Sequence, residues 1–499
     1  MAWPRTRDDA VSRGPWIVGV AVATVLVRLA GLWPPLRADE AGFLLVARSW
    51  DPEPSSMFGQ YWVDRPPLLI AVFRAADDLA GPHFLRVVGA LGCGLVVLLA
   101  ARLAVAVGGS RAAGWTAVAV AAVICTPAID LVAVKGEQLG VPLVLGSMVA
   151  TLSALRRRSW ELALLAGLLA GAAPGLKQNL VSGLVFAAVV LVGARTTGRL
   201  SWSETVRFGA SGLAGVAVPA LAQVGWVFLA GVEPSAAWHA VYGFRSEAAM
   251  VLALGEGEAH LGRGEHLFET AVVSGLVVVL VLFVVCLPAE WMVDPVLAAA
   301  TTAVVVTEVL MVVLGGSYWT DYLITLVPGA TLAVGHLAGR PPLRGSSMRA
   351  AVVATVASFA LHLESWSTGA IAGEHEFTEA RTGEAVARAA APGDTLVVFG
   401  GRADIQYAAG LESPYPYLWS LPMRTMDPEY EQLSSVLAGL DAPTWLVEWV
   451  PFEAWGAANA VELRAVVAQR YVQHGLGCDG RLVYLLRTEQ RPALRPDCG

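Results

Sequence analysis

Residues 37–67, RADEAGFLLVARSWDPEPSSMFGQYWVDRPP, hold more charge than the membrane-like sequence that follows them. The stretch comes just after the first apolar run. It opens on the acidic pair Asp39-Glu40 and closes on Asp64-Arg65 before Pro66-Pro67. Ionisable groups beside a bilayer are costly unless paired or hydrated, so such a cluster points to function. A solvated loop would also account for a lone acidic pair. The sequence on either side has to decide between the two.

Composition sets the class. The chain has 499 residues, of which 56% are hydrophobic and 15% charged, where a soluble domain carries about 25% charged residues. A membrane span needs about 20 mostly apolar residues, and fewer where helices break. That window gives candidate spans at 16–33, 84–107, 114–129, 138–154, 162–176, 180–194, 208–231, 270–288, 296–314, 321–338 and 350–366. The expectation is an α-helical polytopic membrane protein of about eleven spans, with residues 1–366 as the membrane domain, 34–83 as its first outer loop, and 367–499 as a separate tail domain.

Arginine placement orients the chain. With the N-terminus in the cytoplasm, Arg5/Arg7/Arg13, Arg111, Arg156/Arg157/Arg158, Arg195/Arg199/Arg207 and Arg340/Arg344/Arg349 all fall inside, as basic short-loop residues do. The first apolar run follows three arginines but lacks a small-residue cleavage site, so it reads as a retained helix. An odd number of spans then leaves the tail extracytoplasmic. Residues 370–499 hold 10 Arg against 17 acids and carry the whole net charge of −7. That balance argues against nucleic acid as a partner. Strand-like TLVVFG, TWLVEW and RLVYLLR alternate with helical segments, which predicts a small α/β domain. It has no nucleotide-loop glycine spacing. An exported tail would allow a Cys478–Cys498 disulfide; Cys93, Cys125 and Cys286 lie in apolar runs.

Four segments on the expected outer face carry groups that could meet. They supply Asp39, Glu40, Asp64 and Arg65; then Asp130, Lys135 and Glu137; then Lys177, Gln178 and Asn179; then Tyr318, Trp319, Asp321 and Tyr322. Lys135 and Lys177 are the chain's two lysines against 32 arginines. A compact ammonium suits a phosphate oxygen, although snorkelling to lipid headgroups would also place lysines there. His239, His260 and His266, with Glu256, Glu258 and Glu265, lie in 232–269 with no recognised metal spacing and read as a solvated loop. Tyr415, Tyr417 and Trp419 could stack on a sugar or pack the tail onto the membrane domain.

The order of these features resembles the integral-membrane GT-C glycosyltransferases, in particular the protein-mannosyltransferase and aminoarabinose-transferase group. The likeness rests on the acidic pair after the first span, on DRPPLL (64–69), on AGLLAGAAPGLKQN (166–179) and on YWTDYLITLVPG (318–329). It implies a polyprenyl-phosphate sugar as donor substrate and an envelope protein, lipid or glycan as acceptor. The family uses its donor on the outer face, which for this composition means a bacterial plasma membrane; some members use a divalent metal. By that resemblance Asp39 matches the catalytic aspartate with Glu40 beside it. Arg65 matches a basic residue before Pro-Pro, with Asp64 as its acidic or polar neighbour, and Lys177 matches the lysine closing the glycine-rich helix. Glu137 falls where several members carry Asp or Glu in the second outer loop, while Arg65 stands where Lys or His is usual and Asp321 where a basic or small residue is commoner.

The chemistry asks for the same groups. Displacing a lipid phosphate from an anomeric carbon needs a carboxylate to take the acceptor proton and cations on the departing phosphate. Asp39 fits the base, with Glu40 orienting or helping to bind the acceptor. Arg65, Lys135 and Lys177 fit the phosphate, with Tyr318 and Tyr322 in support, and one displacement inverts the transferred hexose or pentose. Two other readings stay open. A transporter or flippase would keep charge near mid-span, as at Glu308. A non-catalytic envelope scaffold would act through the acidic tail.

Overall fold

The computed structural model describes residues 14–255, 257–340, 342–373 and 377–498. Arg5, Arg7, Arg13, Glu256 and Pro341 lie outside them, as do the side chains of Glu258 and His260. The fold is mostly helical with one small C-terminal sheet. Its first part runs α1 (Gly14–Leu29), α2 (Ala38–Arg48), α3 (Pro67–Ala80), α4 (Phe84–Gly108), α5 (Ser110–Cys125), α6 (Gly136–Arg157), α7 (Trp160–Ala172) and α8 (Ser182–Thr196). It continues through α9 (Trp202–Leu229), α10 (Pro234–Trp238), α11 (Phe244–Gly255), α12 (Gly257–Val273), α13 (Leu276–Val293), α14 (Pro295–Leu314), α15 (Val327–Leu337) and α16 (Pro342–Ala372). Each sequence window overlaps a helix. Among the described residues six helices are long and apolar enough to cross a membrane, namely α4, α6, α9, α13, α14 and the 344–372 part of α16.

The helix ends show why the chain breaks where it does. Pro66 and Pro67 open α3, where a missing N–H costs nothing. Ser201 and Glu204 form a capping box on α9. Glu308, inside α14, accepts the Gly329 backbone N–H at 2.9 Å and so caps the first turn of α15. This mid-span acid therefore has a local structural role. Segment 232–269 departs from the expected loop: α10, α11 and most of α12 occupy it, with a π-helical turn at His239–Gly243. His239 there pairs with Glu247 at 3.1 Å.

The tail holds α17 (Thr378–Ala389), β1 (Leu396–Phe399), α18 (Ala403–Ala409), α19 (Ser420–Met426), α20 (Glu431–Ala438), β2 (Trp445–Glu448), α21 (Ala457–Arg470), β3 (Tyr471–Leu476) and β4 (Leu482–Leu486). The sheet order is β1-β2-β4-β3, with β1 parallel to β2 and the other pairs antiparallel. All four positions of β1 and of β2 are buried, as expected where helices cover both faces of a parallel pair. β3 adds a fourth strand to the three expected. Cys478 and Cys498 are joined by a disulfide.

The tail is fastened to the segment between α2 and α3. Trp62 N–H donates to the Pro416 carbonyl at 3.1 Å, and the Gln60 amide to the Ser413 carbonyl at 2.8 Å. The Ser413 N–H donates back to the Tyr61 hydroxyl at 2.9 Å. On the α2 side, Arg48 reaches the Tyr407 hydroxyl at 3.2 Å.

Candidate active site

The two acids that open α2 have opposite environments. Glu40 is fully buried, and Arg86 of α4 holds both its oxygens, at 3.0 and 2.7 Å. One oxygen also accepts the Val134 N–H at 2.9 Å, and the other the Arg37 N–H at 3.3 Å. Arg86 in turn donates to the carbonyls of Gly31, Leu32, Pro34 and Pro35. Glu40 thus ties α2 to α4 and to the turn before α6. Arg28 of α1 supports that turn, donating to the Asp130 and Ala133 carbonyls at 2.6 and 3.2 Å. The Asp130 carboxylate closes it on the Val132 and Ala133 N–H groups.

Asp39 faces the other way and its side chain is 29% exposed. Its Oδ2 lies 3.0 Å from Lys135 Nζ, and its Oδ1 accepts the Trp419 indole N–H at 3.0 Å. Lys135 also pairs with Asp321 at 3.1 Å. Burial pushes the Asp39 pKa up, but Lys135, Arg65 and the hydrogen bonds from Lys135 and Trp419 outweigh it and hold the carboxyl at about 2. Burial likewise pulls Lys135 down, while Asp321, Asp39 and Asp130 together hold it well above the usual lysine range.

A second set of charges adjoins the first. Asp64 bridges Arg65 and Arg245 of α11, each at 2.5 Å. Gln178 ties the Asp64 carbonyl to the Val241 carbonyl, at 2.9 Å each. Lys177 pairs with the buried Glu137, and its ammonium lies 4.1 Å from the Tyr322 ring centre. That approach needs Gly136, where a Cβ would come 2.7 Å from the Leu176 carbonyl oxygen. Arg65 also lies 5.6 Å from the Phe43 ring centre. Tyr318 sits at φ 54 with its ring against Gly264 of α12.

The result is a rim of four carboxylates, Asp39, Asp64, Glu137 and Asp321, against four cations, Arg65, Lys135, Lys177 and Arg245. They are mutually coupled: Arg65 feels Asp39, and Lys177 feels Asp321, Arg65, Arg245 and Lys135. Such a rim can receive a polyanion by exchanging internal carboxylates for ligand oxygens. The carboxylates each face a cation, a donor set that does not fit a divalent metal, and no group of three or more His, Cys, Asp or Glu among the described residues could hold one.

Residues expected from four distant segments therefore meet, with Tyr322 under Lys177 and Tyr318 turned toward α12. Arg86 and Arg245 escaped sequence reasoning. Arg86 looks like one polar residue at the edge of an apolar window, and Arg245 lies in the segment read as a solvated loop. Of the two uses open to the tail aromatics, Trp419 shows the packing one, together with a polar contact that no sequence pattern signals.

No family model matches the chain, and no curated protein matches it. Solved structures do. ArnT from Cupriavidus metallidurans, an aminoarabinose transferase solved bound to undecaprenyl phosphate, is similar over 94% of this chain and 98% of its own, with 14% identity and a TM-score of 0.62. The Archaeoglobus fulgidus oligosaccharyltransferase in its apo form is similar over 97% of this chain and 76% of its own, with 11% identity and a TM-score of 0.51. The chain has the fold of the GT-C glycosyltransferases.

Proposed function

We propose that this protein is a glycosyltransferase that moves a sugar from a polyprenyl phosphate to a hydroxyl on a cell-envelope acceptor. The observation that carries the reading is Asp39, a partly exposed carboxylate set against a rim of four cations. The fold shared with ArnT, which was solved with undecaprenyl phosphate, supports it. In the reaction, an acceptor oxygen attacks the anomeric carbon as Asp39 takes its proton. The bond from that carbon to the phosphate oxygen breaks, and the lipid phosphate leaves with the electron pair. One displacement inverts the centre.

The resting charges suit a base that gains strength once donor binds. With Lys135 bound to it, Asp39 is a weak base. A phosphate that draws Lys135 and Arg65 toward itself removes the field that depresses the Asp39 pKa. Arg65, Lys135, Lys177 and Arg245 then stabilise the departing phosphate. Glu40 holds α2 in place from behind, and Tyr322 seats Lys177. In a bacterial plasma membrane with the N-terminus cytoplasmic, this rim and the tail face outward. Against a transporter reading, the charges gather at the rim, and mid-span Glu308 spends one oxygen on the Gly329 N–H.

Binding of undecaprenyl phosphate to the purified protein tests the donor. The wild type is expected to bind it, and Lys135→Met to weaken binding about tenfold or more. Equal binding by both proteins would contradict the role given to Lys135.

A further inference from the structure

Trp419 is the residue before α19, and it brings the tail domain into direct contact with Asp39 across 380 residues of sequence. Three features are shaped to allow it. Gly42 lies one turn along α2 from Asp39, and a Cβ there would come 2.2 Å from the indole ring. Phe43 packs on that ring with centroids 5.5 Å apart. Gly401, at φ +67, lets the chain beside Trp419 close up, because a Cβ there would sit 2.0 Å from the Ser420 nitrogen. Arg402 bridges to Trp419 through the backbone. The contact is therefore fixed from both domains.

We infer that Trp419 is a positioning residue for Asp39, supplied by the tail: its indole N–H holds Oδ1 and turns the exposed edge of the carboxylate toward the acceptor hydroxyl. The inference rests on the reading of Asp39 as the base. The charged groups around Asp39 are Lys135 from the start of α6, Arg65 from the start of α3, and Arg402 from the tail. Asp321 reaches it through Lys135, and Glu40 on its own helix is turned away onto Arg86. Against this set, Trp419 is the neutral donor. It fixes direction without adding charge, and its hydrogen bond favours the ionised carboxylate. The tail's place in the reaction follows: a site without it keeps Arg65, Lys135, Lys177 and Arg245, but Asp39 is then held through Lys135 alone.

Trp419→Phe separates the N–H from the ring, since phenylalanine still packs on Phe43 and fits over Gly42. Two measurements apply to it. The first is steady-state sugar transfer across pH. The second is labelling of Asp39 by a water-soluble carbodiimide with an amine, read by peptide mass spectrometry across pH, which needs no activity. We expect kcat to fall about tenfold with the donor KM changed less than about twofold. The acid limb of the rate profile and the onset of Asp39 labelling should both move to higher pH. A fall in kcat with neither pH shift would mean packing alone and overturn the inference, as would an unchanged kcat. If the wild type transfers no sugar from any donor, the glycosyltransferase reading fails by itself. The labelling then still decides whether Trp419 holds the carboxylate: a shifted onset supports it and an unshifted one overturns it.

Discussion

Arg86 grips both oxygens of Glu40, at 3.0 and 2.7 Å, in a place where the two side chains are 2% and 0% exposed. Its neighbour Asp39 points out to Lys135 and Trp419. One step along the first turn of a helix thus turns one acid into the core and the other out to the charged rim. Removing one member of a buried pair strands the other, at a cost of about 3–5 kcal/mol. Glu40→Ala should therefore lower the unfolding midpoint in detergent by many degrees and abolish transfer through misplacement of α2. A variant as stable as wild type would show that the pair does not hold the site.

Asp39 links stability to pH in a defined direction. Its pKa is held at about 2, below the 3.8 of a free aspartate. A carboxylate depressed in the fold stabilises it above its unfolded pKa, and that contribution is lost as pH falls through the folded value. Wild type should exceed Asp39→Asn by about 1–2 kcal/mol near neutral pH. The gap should close between about pH 4 and pH 2. Chemical denaturation at several pH values measures it.

Lys177 and Glu137 allow structure and binding to be separated. Lys177→Met leaves Glu137 buried without its cation and should cost about 3–5 kcal/mol. Adding Glu137→Gln should restore most of that stability. It should not restore binding of undecaprenyl phosphate, which needs the ammonium. Recovery of both in the double variant would make Lys177 purely structural.

Asp321 pairs with Lys135 at 3.1 Å, so under the proposed function it competes with the donor phosphate for that ammonium. Asp321→Asn should tighten binding of undecaprenyl phosphate by about threefold to tenfold, and isothermal titration would show it. Weaker binding would mean that Asp321 is needed to hold Lys135 in place.

Helices and site segments were legible for different reasons. Apolar runs mark helices directly, so every window fell on one, and charges breaking those runs marked Asp39, Asp64, Lys135 and Lys177. Segment 232–269 hid its helices because Gly, His and Glu interrupt the apolar pattern there. β3 was masked by Gln473 and His474 and by α21, whose helical pattern runs straight into Tyr471. The partners of the acids depend on packing between remote segments. Nothing near Arg86 says that it turns inward to Glu40, and nothing near Trp419 says that it meets Asp39.

Asp39 is proposed as the base of a sugar transfer from a lipid phosphate. Its most direct test offers purified wild type and Asp39→Asn a set of labelled polyprenyl-phosphate sugars with membrane acceptors. Transfer by the wild type is expected, with a loss of at least about a hundredfold in the variant and undecaprenyl phosphate still bound. Equal transfer by the two proteins would contradict it.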